Sequence, residues 1–360
     1  MPERRTITEL AELALALPPS ERAVFQRIFH VSTTTGRLNP PAAMHDWIKA
    51  HFGAVERVRS QRIVKITNMV TMEGALFNEL RASRPMEVEE SADLEKTILS
   101  NLGDPFCHPL EGTPEDAFGR IRGQRCITAS NIAKYDGFHG LVIFKEHNPL
   151  SFTAEGVKDY IDTALAWARH AHETDPQARY FFLMWNCLWK SGASILHGHL
   201  QMTLSRDMHY AKVESWRRAA RIYKMEYGAN YFDDLYRAHQ ALGLAFEKDE
   251  MRVLAYLTPI KEKETLLMAE ELTDGLKEAV YKALACFVKG LGVSSFNLAF
   301  YLRPFGHTEE DWEGFPAIVR LVDRGDPFNK TADIGAMELY ASSVISSDPF
   351  RLIEALRACF

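Results

Sequence analysis

The pattern of apolar and polar residues from about residue 120 onward predicts the same series of elements twice. In the first copy a helix begins at Thr153, and strands cover residues 125–132, 140–144, 180–185 and 196–204. In the second copy the helix begins at Thr273, and strands cover residues 253–257, 264–268, 296–302 and 317–322. Each helix carries one apolar stripe. The sequence therefore predicts an α+β fold with two similar halves.

The first 60 residues or so follow a helical period instead. Thr6–Phe29 and Ala42–Arg59 form two amphipathic stretches, and a loop around Gly36 and Pro40 separates them. Strand signals begin at residues 63–66 and continue through 75–77. This part contains four basic residues, Lys49, Arg57, Arg59 and Arg62, so one interpretation is a small DNA-binding domain. A helical segment that packs on the catalytic body is the more common alternative.

These patterns divide the chain into three predicted segments. An N-terminal helical segment covers residues 1–74 and leads into the sheet. The first half covers 75–245, and the second half covers 246–360. Aligning the halves places Phe315–Val319 against the segment that contains His197, His199 and Gln201. The second half has no histidine there, so only the first half is expected to hold an active site.

The residues that best indicate a catalytic function lie in one short segment, Ser191–Gln201. His197, His199 and Gln201 are spaced two apart on the predicted strand, so they are expected on one face. An imidazole fixed on a strand can attack phosphorus and form a nucleotidyl-histidine. A His-x-His pair is also typical of metal sites or of structural hydrogen bonds, and the spacing alone does not separate these three interpretations.

Composition narrows the class of protein. The chain has 360 residues, 46% hydrophobic and 25% charged, with a formal net charge of −6. This balance argues against nucleic acid or an anionic membrane as a partner. Five cysteines without a C-x-x-C pair predict a reducing compartment, and Glu9 and Glu12 interrupt any signal-peptide core. We expect a cytoplasmic protein without a membrane span.

Several ordered segments give the chain a resemblance to the galactose-1-phosphate uridylyltransferase branch of the histidine-triad superfamily. That branch also contains the dinucleoside-polyphosphate and ADP-sugar phosphorylases. The central match is Asn186, Ser194, His197, His199 and Gln201, spaced as in the family's Asn…Gly-x-Ser-x-x-His-x-His-x-Gln block. Weaker matches are Arg81–Pro85 with the family's R-x-x-R-P segment, Ser130–Ala133 with its asparagine-bearing strand, and Gly335–Leu339 followed by Ser347–Pro349 with its C-terminal helix.

The resemblance implies a duplicated, histidine-triad-like half-barrel and assigns roles to residues. His199 would be the nucleophile, His197 its motif partner, and Gln201 would favour transfer over hydrolysis. Phosphate and nucleotide contacts would come from the remaining candidates, which are Arg81, Arg84, Asn131, Asn186, Ser194 and, from the second half, Arg303.

The resemblance also implies a homodimer in which the second half lends residues to the neighbouring subunit. Alternation along the predicted strand 296–302 puts the polar residues Asn297, Tyr301 and Arg303 on one face, which would suit a sugar-phosphate pocket. An equally good interpretation is that Tyr301 and Arg303 cap a solvent-exposed edge.

Two departures from the family affect metals. The family often binds zinc through a C-x-x-C pair and two histidines, but here Asp104–His108 keeps one cysteine. A reduced site of Cys107, His147 and His197 is conceivable, and zinc needs about four ligands. No cofactor is expected to be required, and a structural zinc ion is possible. Histidines that bind a second metal in some members are replaced by Trp312–Pro316.

The resulting functional prediction is an enzyme, a nucleotidyltransferase with a covalent nucleotidyl-histidine intermediate. The first expectation is hexose-1-phosphate uridylyltransferase-like activity on a nucleoside diphosphate sugar, with a sugar phosphate as acceptor. The alternative is a phosphorylase that cleaves a dinucleoside polyphosphate or an ADP-sugar with phosphate. An alternative from another class is a non-catalytic, nucleotide-binding regulatory protein. Base and sugar specificity are left open.

Overall fold

The computed structural model describes residues 5–78, 80–81 and 93–360 and has the predicted α+β fold. A sheet of four strands and a sheet of nine strands are mostly antiparallel, with helices packed on them. Among the described residues, none of the helices combines the length and the apolar composition that a membrane span requires.

The N-terminal segment is less helical than the sequence predicts. It contains helices α1 (Leu10–Leu15), α2 (Pro19–Ile28), α3 (His45–Phe52) and α4 (Val55–Arg59), and strands β1 (Phe29–Arg37) and β2 (Ser60–Asn68). Strand β3 (Gly74–Phe77) begins at its last residue and continues into the predicted first half. The expected loop around Gly36 is wrong, because β1 pairs with β2 over that stretch. The β-branched run Thr33–Thr35 favours a strand, but its polar side chains hide the alternation on which the prediction depended.

The small sheet has the order β1-β2-β3-β13, and its last strand comes from the far end of the chain. Strand β13 (Ser343–Ile345) runs parallel to β3, and Ile345 and Phe77 are both buried. The small sheet therefore combines strands of the N-terminal segment with residues of the second half.

The remaining elements build the nine-stranded sheet and the layers that cover it. The strands are β4 (Cys126–Ser130), β5 (Phe138–Phe144), β6 (Tyr180–Cys187), β7 (His199–Ser205), β8 (Ala245–Lys248), β9 (Met251–Ala255), β10 (Glu262–Ala269), β11 (Phe296–Tyr301) and β12 (Ala317–Asp323). The helices are α5 (Leu94–Leu99), α6 (Pro109–Gly112), α7 (Ala154–Thr174), α8 (Ala211–Tyr227), α9 (Tyr231–Leu242), α10 (Asp274–Ala285), α11 (Ala336–Tyr340) and α12 (Pro349–Cys359).

The order of strands in the large sheet shows the duplication directly. It reads β4-β5-β7-β6-β11-β12-β10-β9-β8. The first half contributes β4-β5-β7-β6. The second half contributes the corresponding strands β9-β10-β12-β11, which follow one another from the opposite edge of the sheet toward its centre. The helices repeat as well, because α7 and α10 each begin after a threonine, Thr153 or Thr273, whose side chain accepts a backbone N–H of the first turn. The two halves therefore meet where β6 pairs with β11.

The pairing register corrects the alignment of the halves by one residue. Gln201 lies opposite Met184, Met184 opposite Ala299, and Ala299 opposite Arg320. With the paired residues Met184 and Ala299 taken as equivalent positions of the two halves, Arg320 occupies the position in the second half that Gln201 occupies in the first. Ile318, two residues earlier, corresponds to His199. A shift of one residue moves a side chain to the other face of a sheet, so Val319, which the sequence alignment matched to Gln201, lies on the opposite face. The prediction that the second half has no histidine at this position is confirmed.

The two faces of the large sheet are covered differently. Helices α7 and α10 pack on the back, where Trp167 and Trp185 are almost fully buried. We call the side that carries Gln201 and Arg320 the front face. In the second half the front face is filled, since the guanidinium of Arg320 pairs with Glu264 and Glu73 beneath the ring of Trp216. The front face of the first half carries the predicted site.

Candidate active site

The histidine segment is divided between a loop and a strand. Strand β7 begins at His199, three residues later than predicted, so His197 precedes it. His199 and Gln201 lie on the front face, as expected. The expectation that His197 shares this face is wrong, because its ring joins a separate cluster with Cys107 and His147. The chain leaves the loop at Gly198, where a Cβ would come within 2.4 Å of Phe144, so the position requires glycine.

His199 has the protonation pattern of a nucleophile. Its Nδ1 lies 2.8 Å from the carbonyl oxygen of His197, so Nδ1 carries the hydrogen and Nε2 carries a lone pair. Burial lowers the pKa of His199 below its ordinary value, which favours the neutral ring at neutral pH. The ring of Phe106 packs edge-on at 5.1 Å and fixes its plane. Within the described residues Nε2 has no hydrogen-bond partner.

Three amide side chains, Gln201, Asn131 and Asn186, belong to the candidate site. Gln201 Oε1 lies 3.1 Å from Nε2 of His139, and Asn131 Nδ2 lies 3.2 Å from the same nitrogen. Asn186 follows Met184 on the front face of β6, and its Oδ1 accepts a hydrogen bond of 2.6 Å from Asn297 Nδ2. Within the described residues, the side chains that bond to these three amides are His139 and Asn297, and neither is a carboxylate or a cation. Sequence reasoning did not find His139, because it stands inside an apolar strand.

Asn297 connects the site with the second half. Besides Asn186, its Nδ2 donates to the carbonyl of Ser191 at 2.9 Å. Its Oδ1 accepts a hydrogen bond from Arg324, which in turn pairs with Asp333 at 2.8 Å. The predicted face of polar residues on β11 therefore begins with a residue that holds Asn186 in place.

The other predicted contacts lie apart or outside the described residues. Ser194 is exposed in the turn before His197. Arg81 is exposed, and its backbone N–H donates to Asn78, whereas Arg84 lies outside the described residues. Arg303 follows the end of β11, is exposed, and donates from Nε to the carbonyl of Phe315. In the described part of the chain, no hydrogen bond or ion pair joins Arg81 or Arg303 to His199.

Four possible metal ligands converge behind the histidine loop: Asp104, Cys107, His147 and His197. One donor atom from each lies within 4.8 Å of the others. Cys107 Sγ is 3.4 Å from His147 Nδ1 and 3.5 Å from His197 Nδ1, and the two Nδ1 atoms are 3.1 Å apart. Asp104 lies 3.6–3.8 Å from the same nitrogens. Tetrahedral zinc, with Zn–N of about 2.0–2.1 Å and Zn–S of about 2.3 Å, places donors about 3.3–3.6 Å apart.

The hydrogen bonds around this cluster fit a cation at its centre. Nε2 of His147 lies 2.9 Å from the carbonyl of Ile98, and Nε2 of His197 lies 2.8 Å from the carbonyl of Phe144. Both Nε2 atoms therefore carry hydrogens, and two Nδ1 lone pairs face each other. Asp104 Oδ2 is buried without a hydrogen-bond partner among the described residues. These donors suit zinc, and carbonyl partners on Nε2 are typical of histidine ligands.

Asp104 is the ligand that the sequence prediction missed. It stands three residues before Cys107, which is the spacing of a C-x-x-C pair. Its other oxygen, Oδ1, accepts the backbone N–H groups of Phe106 and Cys107 at 2.7 and 3.2 Å, which fixes the carboxylate. The D-x-x-C spacing was available as a signal, but only the fold brings it to His147 and His197.

Two apolar regions flank the imidazole on the front face. On the β4–β5 side, a cluster surrounds Phe106; its other members are Ile127, Ala129, Leu141, Ile143 and Ile195. On the β6–β11 side, beyond Gln201, lies a cavity of about 330 Å³. We call it the aromatic cavity, since the rings of Tyr135, Phe182, Tyr210 and Tyr301 line it. The aromatic cavity thus has room for one flat group on this side of Gln201.

Several solved structures have a fold similar to that of this chain. An ADP-glucose phosphorylase from Arabidopsis thaliana with bound ADP-glucose is similar with a TM-score of 0.61 at 17% identity, over 80% of this chain and 96% of that one. A galT-like protein from the same plant gives 0.60 at 15%, over 81% and 97%. A uridylyltransferase gives 0.56 at 14%, over 81% and 97%. The fold is therefore that of galT-like proteins. No protein-family model and no curated protein matches the sequence.

Proposed function

We propose that the protein is a nucleotidyltransferase that forms a covalent intermediate on Nε2 of His199. The observation that carries the proposal is the hydrogen bond from Nδ1 of His199 to the carbonyl of His197, which leaves Nε2 as a lone-pair donor in a buried site. A neutral imidazole in this state is a competent nucleophile toward phosphorus.

The transfer follows in two balanced steps. In the first, the Nε2 lone pair forms a bond to the α-phosphorus, and the bond from phosphorus to the leaving phosphate oxygen breaks. The ring becomes cationic and keeps its Nδ1 hydrogen, whose bond to the His197 carbonyl stabilises that charge. In the second step an acceptor phosphate oxygen attacks the same phosphorus and His199 leaves as a neutral ring. Gln201 supplies no acid or base, which disfavours water as the acceptor.

Two donor classes fit this chemistry. A nucleoside diphosphate sugar, with a sugar phosphate as acceptor, corresponds to the uridylyltransferase-like activity. The alternative is a phosphorylase that cleaves a dinucleoside polyphosphate or an ADP-sugar with phosphate. The aromatic cavity favours a dinucleoside polyphosphate, because Phe182, Tyr210 and Tyr301 suit a second base, whereas buried sugar hydroxyls would need polar partners.

A structural zinc ion belongs to the same proposal. Asp104, Cys107, His147 and His197 would hold it, and when bound it would supply a rigid cross-link between three loops. Fixing His197 fixes the carbonyl that orients His199. A homodimer and a cytoplasmic location also remain parts of the proposal; the first comes from the resemblance and the second from cysteine usage.

Covalent labelling tests the proposal against a non-catalytic, nucleotide-binding protein. The protein is incubated with α-³²P-labelled UDP-glucose, ADP-glucose and diadenosine tetraphosphate and separated under denaturing, alkaline conditions that preserve phosphoramidates. We expect label from at least one donor, lost in His199→Ala and kept in His170→Ala, a control at an exposed histidine of α7. Binding of nucleotides without any label would favour the regulatory alternative.

A further inference from the structure

We infer that His139 is a positioning residue, which turns the carboxamide of Gln201 so that its NH₂ group faces the transferred phosphoryl group. The inference rests on the proposed function, because it concerns the same site. His139 lies on β5 with no exposed surface and would not touch the substrate.

The hydrogen bonds of the ring determine which nitrogen carries its hydrogen. The backbone N–H of Tyr135 donates to Nδ1 of His139 at 3.0 Å, so Nδ1 is an acceptor. In the neutral ring the hydrogen is therefore on Nε2. Burial lowers the pKa of His139, in agreement with a neutral ring.

Among the described residues, one acceptor lies within hydrogen-bond distance of the single Nε2 hydrogen. Gln201 Oε1 lies 3.1 Å away. Asn131 Nδ2 lies at 3.2 Å, but it carries only hydrogens, and its partner oxygen already accepts the N–H of Ala133. The Nε2 hydrogen therefore goes to Gln201 Oε1. Rotating the carboxamide by half a turn would set two donors against each other, so the opposite orientation is disfavoured.

This choice decides what Gln201 offers to a substrate. With Oε1 engaged by His139, the two hydrogens of the amide nitrogen are left for phosphoryl oxygens. The reversed amide would direct carbonyl lone pairs at an anion. Donors aimed in advance at oxygens that gain charge are among the largest single contributions to catalysis, about 10²–10³-fold for one donor.

The turn before β5 holds the ring in this state. Lys134 Nζ donates to the carbonyl of His139 at 3.2 Å and to Ser130 Oγ at 2.6 Å. Ser130 in turn donates to the buried carboxylate of Asp116 at 2.6 Å. The ring of Tyr135 stacks on His139 at 4.4 Å. These contacts keep the Tyr135 N–H aimed at Nδ1.

The second half contains two positions equivalent to His139 and Gln201, but no histidine that could act as a nucleophile beside them. Arg320 corresponds to Gln201, and Glu264, two residues before its partner Leu266, corresponds to His139. There Arg320 Nε donates to Glu264 Oε1 at 2.6 Å, and the pair is buried. Both halves therefore join these positions by a side-chain bond, but Arg320 is held by two carboxylates, Glu264 and Glu73, whereas Gln201 is held through its amide oxygen by a neutral ring.

A double-mutant cycle tests the inference on the full-length protein. The rate of covalent labelling at saturating donor is compared in His139→Phe, in Gln201→Ala and in the double variant, and donor affinity is measured separately. We expect His139→Phe to slow labelling roughly tenfold or more, with affinity within about threefold, and to add little once Gln201 is alanine. His139→Gln, which can donate to Oε1, should recover most of the rate.

The possible failures are distinguishable. If the wild-type protein is not labelled at all, the proposed function fails. If it is labelled but the two substitutions act independently, or His139→Phe weakens only donor affinity, the inference about His139 is overturned. The ring itself gives a second measurement that needs no variant to fold. ¹⁵N NMR of labelled histidines should show His139 with hydrogen on Nε2, and a hydrogen on Nδ1 would overturn the inference.

Discussion

The backbone carbonyl of His197 accepts the Nδ1 hydrogen of His199 at 2.8 Å. This hydrogen bond links two histidines that have different roles. The ring of His197 turns toward Asp104 and Cys107, while its carbonyl sets the hydrogen position of the proposed nucleophile. Any group that fixes the His197 ring also fixes the orientation of His199. The candidate metal cluster and the candidate active site are therefore one structural unit.

Metal content is the first prediction. Protein from zinc-supplemented cells should contain about one zinc ion per chain, because four donors converge at tetrahedral spacing. Asp104→Ala and Cys107→Ala should each lower zinc affinity at least tenfold and lower the melting temperature. Plasma mass spectrometry and thermal unfolding measure both. His108→Ala, at the exposed neighbour of Cys107, should keep the metal. Metal-free protein whose melting temperature is unchanged by added zinc would contradict the site.

Hydrolysis is the second prediction. Replacing Gln201 by histidine introduces a group that can transfer a proton, so we expect faster release of the nucleoside monophosphate from the labelled protein without an acceptor. Chromatography of the released nucleotide measures the rate. The double variant His199→Ala/Gln201→His serves as control and should release none. Equal release by wild type and Gln201→His would show that Gln201 does not protect the intermediate.

Acid sensitivity is the third prediction, and it concerns a histidine far from the chemistry. Burial lowers the pKa of His239 to about 4, and its ring accepts the N–H of Leu257 and donates to Leu235. The unfolded chain, with an ordinary pKa of about 6.5, binds this proton first, so stability falls as pH decreases from 6.5 to 4. The full loss is about 3 kcal/mol from this residue.

His239→Gln removes the titration while keeping an acceptor and a donor. The free energy of unfolding is measured by urea denaturation between pH 4 and 7. Its slope against pH should be smaller in the variant, by the equivalent of up to one bound proton. A variant with the same slope as the wild-type protein would assign the acid sensitivity to other groups.

Assembly is the fourth prediction. If the protein is a homodimer and Arg303 acts in the neighbouring subunit, chains with His199→Ala and chains with Arg303→Ala should complement each other after coexpression. Half of the dimers would be mixed, each with one intact site, which gives about a quarter of wild-type labelling. Labelling by the mixture no higher than the Arg303→Ala protein alone, or a monomer in light scattering, would rule this out.

The sequence predicted what depends on local pattern. The alternation of apolar residues located the strands of both halves, and Thr153 and Thr273 marked the starts of α7 and α10. It did not predict β1, because the polar Thr33–Thr35 run does not alternate with apolar residues. The site was predicted where residues are adjacent in the chain, as at His199 and Gln201. Asp104 and His139 were missed because their significance depends on partners about 60 or more residues away, at His197 and Gln201.

The ladder between β6 and β11 limits how the molecule can move. It pairs Cys187 with Phe296 and continues without a break to Phe182 and Tyr301. A hinge between the halves would have to break these pairs in the middle of a nine-stranded sheet. The halves therefore move as one rigid plate, and opening and closing during a reaction cycle is left to the loops at its edge. We expect substrate entry and product release to depend on residues 104–108 and 131–137, the loops that pack on His199 through Phe106 and on His139 through Asn131 and Tyr135.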